Sequence, residues 1–111
     1  MNEINVLLAQ IAKEQHAQLP QMNANGVEHT AVGASNGVLT HMYRLPVKQG
    51  DGTDIAAIKN NLYLGVRRGN CTDPTISFML QEGITIKYVY MDVQGSYLFE
   101  FSIEKQDCVG L

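Results

Sequence analysis

The sequence predicts an α+β fold in which an antiparallel sheet of about four strands packs against two to three helices. Three observations lead there. Apolar residues recur at helical spacing around residues 4–12, 55–66 and 76–80. They alternate with polar ones in two late runs, 84–91 and 97–104. An Asn-Gly pair, Asn36-Gly37, separates two earlier runs of strand-forming residues. The 111 residues are expected to form one domain, 1–111. Hydrophobic residues at 45% supply a core, and charged residues at 17% are too few to suggest disorder.

Taken in order, Ile4, Leu7, Leu8, Ile11 and Ala12 trace one helical face, with Glu3, Gln10, Lys13, Glu14 and Gln18 opposite. Pro20 disfavours helical geometry at Leu19, so this helix should end by about residue 18. Val27–Val32 and Val38–Val47 read as a hairpin, because Asn-Gly tolerates the two positive φ angles of a type I′ turn. Pro46 lacks a ladder donor and places that strand's end at an edge or outside the sheet. Thr53 or Asp54 can cap a second helix carrying Ile55, Ile58, Leu62 and Val66, with Arg67 and Arg68 near its end and Gly69 as its stop. Asp73-Pro74 opens a third helix, since aspartate accepts free backbone N–H groups and proline fits the first turn. Gly83 should end it in a left-handed conformation. The closing strands alternate Ile84, Ile86, Tyr88 and Tyr90, then Tyr97, Phe99, Phe101 and Ile103, around a turn at Gln94-Gly95-Ser96.

Eight Lys and Arg against eleven Asp and Glu give a net charge of -3, which disfavours a nucleic-acid partner. No run of apolar residues is long enough for a transmembrane segment. The two cysteines, Cys71 and Cys108, are too far apart for a Cys-x-x-Cys redox motif or a two-knuckle zinc site. A structural disulfide competes with two unrelated buried thiols. The bridge is favoured, because it would tie a C-terminus that otherwise frays to the middle of the chain, at about 3–4 kcal/mol of loop entropy. It implies an oxidising compartment, periplasmic or secreted; reduced thiols would imply the cytoplasm. The N-terminal residues lack a basic region followed by a long apolar one, so the expectation is that an export signal has been removed.

Motifs for chemistry are weak. Gly33-Ala34-Ser35-Asn36-Gly37 matches the nucleophile elbow Gly-x-Ser-x-Gly, but both flanks read as strands and a hairpin turn accounts for it. If Asn36-Gly37 is a two-residue turn, Val32 faces His41 and His29 faces Arg44. His29 and His41 then project from opposite faces and cannot share a metal, and with His16 they read as partly exposed polar residues. Asp51-Gly52-Thr53-Asp54 lacks the spaced acidic ligands of a calcium loop and reads as a loop with a helix cap. Asn70-Cys71-Thr72 fits a glycosylation pattern but also a helix-entry turn. The aromatic block Tyr88, Tyr90, Tyr97, Phe99 and Phe101 suits core packing, or a sheet face or adjoining groove that receives an apolar helix. No catalytic residues, metal or cofactor are expected, and the chain is read as not an enzyme.

The stretch Cys71-Thr72-Asp73-Pro74, then Met79-Leu80, Glu82-Gly83-Ile84, a strand hairpin and Cys108 resembles the AspS-type pilotins of type II secretion systems. Leu7-Leu8-Ala9, Gln18-Leu19-Pro20 and the following hairpin are also similar, so the resemblance covers nearly the whole chain. It implies a small periplasmic α+β domain in which Cys71 is bonded to Cys108. It also implies a non-enzymatic partner-binding role, since such pilotins bind a C-terminal helix of the secretin. Pilotins of this type carry lipid on an N-terminal cysteine, and none stands near this N-terminus.

The leading expectation is therefore an exported, pilotin-like binding module that accepts an apolar segment of a protein or peptide partner such as a secretin. The candidate groove residues are Leu62, Val66, Ile76, Met79, Tyr90 and Phe99. An alternative is a soluble exported or mobile-element-encoded accessory protein of unknown role, dimeric through an edge strand around residues 38–47. A third is a small enzyme or ligand binder using His41, Tyr43 or Arg44.

Overall fold

The computed structural model describes residues 2–111. Its elements are α1 (Asn2–His16), β1 (Gln21–Met22), β2 (Glu28–Ser35), β3 (Val38–Arg44), α2 (Ile55–Thr72), α3 (Pro74–Gln81), β4 (Thr85–Met91), β5 (Tyr97–Ile103) and a closing 3-10 turn, Lys105–Cys108. The α+β class holds, with one disulfide.

Two features of the sheet correct the expectation. It has five strands, in spatial order β1-β2-β3-β4-β5, and it is mixed. β3 and β4 run parallel, from Val38 opposite Thr85 to Arg44 opposite Met91, while every other pair is antiparallel. The reason is the connection: α2 and α3 together form a crossover long enough to return the chain to the same end of the sheet, as parallel pairing requires. β1 pairs only Gln21 with His29 and Met22 with Glu28, and two residues show no period to detect. β3 stops at Arg44, before Pro46, and lies between β2 and β4. It offers no free edge, so the dimer expected through residues 38–47 has no strand edge there to form on.

The turn chemistry matches the sequence. Asn36 (φ 50°) and Gly37 (φ 79°) both take positive φ in the β2–β3 hairpin, which places Ser35 at a strand end rather than in a strand-to-helix elbow. Asp54 caps α2 by accepting from the Ala57 N–H at 3.0 Å. α2 does not stop at Gly69 but runs to Thr72. A glycine inside a helix costs about 1 kcal/mol, which the bonds formed by the next two residues, Asn70 and Cys71, offset. Asp73 then serves both helices: its N–H donates to the Gly69 carbonyl at 3.1 Å, and its carboxylate accepts from Thr75 and Ile76 at 2.9 and 3.0 Å.

One face of the sheet is covered. Leu39 of β3, Ile86, Tyr88 and Tyr90 of β4, and Phe99 and Ile103 of β5 are buried together with Leu8 and Ala12 of α1 and Met79 and Leu80 of α3. Each such aliphatic or aromatic side chain contributes about 1.5–3 kcal/mol on leaving water. α1 packs along β2, and α2 packs against β5 and the closing turn. The opposite face is more open and carries charge: Lys87 pairs with Glu100 at 3.0 Å and Arg44 with Glu28 at 3.3 Å.

β2 contains a bulge. Val32 lies opposite His41 and Ala31 opposite Met42, but His29 lies opposite Tyr43 and Glu28 opposite Arg44, so Thr30 is the extra residue. That single insertion overturns the expected geometry of the histidines: His29 and His41 project from the same face.

Candidate partner-binding groove

Two helices, α1 and α3, leave apolar surface uncovered between them. α1 has an apolar stripe broader than the sheet can cover: Leu8 and Ala12 turn inward, while Ile4, Leu7 and Ile11 flank them. α3 packs four apolar residues into five positions, Ile76, Phe78, Met79 and Leu80. A helix this short buries one stripe only, so Met79 and Leu80 go inward and Phe78 is left out. Pro74 at its start and Gly83 (φ 89°) at its end fix the length of α3.

Between them lies a groove of about 410 Å³, walled by Ile4, Leu7 and Ile11 on one side and Phe78 and Met79 on the other, with Ile84 below. Glu3, Thr75 and Glu82 form its polar rim. Phe78 is 62% exposed and Leu7 49%, whereas Met79 and Ile84 are buried. The site thus has a buried apolar floor and an apolar lip open to solvent. What it can do is take up another apolar surface.

Of the six residues expected from sequence, Met79 alone lines this groove. Leu62, Val66 and Ile76 are half-buried and packed against the core. Tyr90 and Phe99 are buried in the sheet face, ring centroids 5.0 Å apart. Ile4, Leu7, Ile11, Phe78 and Ile84 line it without having been expected to; the signal was a surplus of apolar positions on α1 and α3 beyond what one buried stripe of each can hold.

The opposite end of the covered face is held by specific bonds. Cys71 is bridged to Cys108 across 37 positions, with a Cα–Cα distance of 5.4 Å. The Tyr63 hydroxyl donates to the Asp107 carboxylate at 2.6 Å, and Arg67 Nε donates to the Asp107 carbonyl at 2.7 Å. Asn70 is buried and exchanges two hydrogen bonds with the Tyr88 hydroxyl, at 2.8 and 3.0 Å, so its amide is committed and not presented for glycosylation. Burial pushes the Tyr43 phenol up to about 12 and the Tyr90 phenol above the ordinary tyrosine range, which keeps both neutral.

Asp51 accepts from the Lys48 and Thr53 N–H groups in a plain loop turn. His41 and Tyr43 share the covered face, but Arg44 sits on the other with Glu28, so the three do not converge on one site. His16 Nδ1 accepts from the Val32 N–H at 3.3 Å.

No protein-family model and no curated protein matches the chain. Solved structures do. The pilotin EpsS of the Vibrio vulnificus type 2 secretion system superposes with a TM-score of 0.84 at 13% identity, covering 99% of this chain and 96% of that one. The type II secretion pilotin AspS of Vibrio cholerae gives a TM-score of 0.76 at 13% identity, covering 96% and 94%. The chain has the fold of these pilotins. The resemblance read from the Cys-Thr-Asp-Pro block is thus matched in three dimensions over nearly the whole chain.

Proposed function

We propose that this chain is a non-enzymatic, exported binding module of the pilotin type, and that its α1–α3 groove receives the apolar face of an amphipathic helix from a protein partner such as a secretin. The observation that carries the reading is the pairing of a buried floor, Met79 and Ile84, with an exposed lip, Leu7 and Phe78. A helix laid in such a groove anchors through residues spaced i, i+3, i+4 and i+7, and two flanking helices supply walls for it. The pilotin fold supports a secretion role, and the Cys71–Cys108 bridge fits an oxidising compartment such as the periplasm. A groove that is apolar except at its rim supports a non-enzymatic role.

The test is a titration of the oxidised protein with the C-terminal segment of a secretin from the same genome. Saturable binding is expected, lost in Phe78→Asp and in Leu7→Glu while both variants remain folded by circular dichroism. Unchanged affinity in both variants would overturn the assignment of the groove.

A further inference from the structure

Away from the groove, the bulge at Thr30 builds a second constellation. It sets His29 and His41 diagonally across β2 and β3 on one face, with His29 Nε2 3.1 Å from His41 Nδ1. We propose that these two imidazoles form a binding site for a late divalent transition-metal ion of the Cu(II), Ni(II) or Zn(II) class.

The separation is the first argument. Two nitrogens bound at about 2.0–2.1 Å to one ion in square-planar or tetrahedral geometry stand about 2.9–3.4 Å apart. The rings already have that spacing. Their planes are also held, since His29 stacks on Tyr43 with centroids 4.4 Å apart and His41 on Tyr88 at 5.3 Å. The space is the second argument. Both rings open into a cavity of about 260 Å³ between the end of α1 and β1, and Gln15, Gln18 and Gln21 line it with carboxamides. Amide oxygens and water can complete the coordination there. No lysine or arginine lines the cavity to oppose a cation.

The third argument is the proton the two rings share. Without metal, one neutral ring donates its N–H to the other. For both facing nitrogens to bind an ion, the donor ring moves that proton to its second nitrogen, and the pair remains neutral with no net proton released. Among the described residues, no group of three or more His, Cys, Asp or Glu side chains forms a metal centre. The site therefore has two protein nitrogens at most, which suits exchangeable binding rather than a structural ion.

The test adds CuCl2 to the oxidised full chain near neutral pH and follows amide and imidazole resonances by NMR, with ZnCl2 titrated in parallel by calorimetry. The expected result is one-to-one binding, with paramagnetic broadening centred on His29 and His41 and sparing the α1–α3 groove. His29→Ala should weaken binding about tenfold or more, and His16→Ala should leave it unchanged. The wild-type broadening pattern needs no variant, so a folding defect in a histidine variant does not blunt the test. Broadening confined to His16 or the N-terminus, undiminished affinity in folded His29→Ala, or no saturable binding would each overturn the proposal.

Discussion

The two ends of the covered sheet face are held together by different physics. At the α2 end, a disulfide, the Asn70–Tyr88 pair and two bonds to Asp107 fix side chains in single arrangements. At the α1–α3 end, contact is apolar, and Phe78 and Leu7 stand about half or more in water. Directional bonds specify one geometry, whereas apolar surfaces tolerate a change of partner. The stapled end can thus carry the fold while the other end is left free to bind.

The largest break in this contrast is removal of the bridge. Cys71→Ser with Cys108→Ser should cost about 3–4 kcal/mol in urea unfolding, since a long loop regains its freedom. Peptide affinity at the groove, measured where the variant remains folded, should change little. Next comes Asn70→Ala, which strands the buried Tyr88 hydroxyl; a loss of about 1–3 kcal/mol is expected, read by the same unfolding curves. A double variant that also carries Tyr88→Phe should recover part of it.

Acid sharpens the contrast. His41 has a folded pKa of about 4 against an ordinary 6.5, so the folded state holds fewer protons between those values than the unfolded chain. Its contribution is fully present above 6.5 and is lost as pH falls toward 4. His29 shifts in the same direction. The unfolding midpoint should therefore drop with acidification across that window, and a folded His41→Gln variant should show a shallower slope. Phe78→Asp gives the smallest effect on stability, within about 0.5 kcal/mol of wild type, because that side chain is already exposed.

Much of this architecture was legible where local chemistry is decisive. Asn36-Gly37 demanded positive φ, Asp73-Pro74 announced a helix start, and both stand as read. The parallel pairing of β3 with β4 was signalled by a strand–helix–helix–strand order but obscured by the clean alternation of β5, which suits an antiparallel neighbour. The Thr30 bulge carried no glycine or proline to mark it. Register counted from the turn was right as far as Ala31 and Met42 and wrong past the bulge. Gly69 looked like a stop because the contacts that carry the helix past it, from Asn70 to Tyr88 and from Cys71 to Cys108, reach distant parts of the chain. The groove was barely legible for the same reason. Met79 was named, but which apolar residues stay uncovered depends on how α1 and α3 meet, and no single helix encodes that.

The most direct test of the account maps a bound secretin segment onto the backbone resonances of the oxidised protein. Shifts clustered at Ile4, Leu7, Ile11, Phe78, Met79 and Ile84, with the α2 end from Tyr63 to Cys71 unmoved, are the predicted result. Shifts centred on α2 and the closing turn, with Phe78 and Leu7 silent, would contradict it.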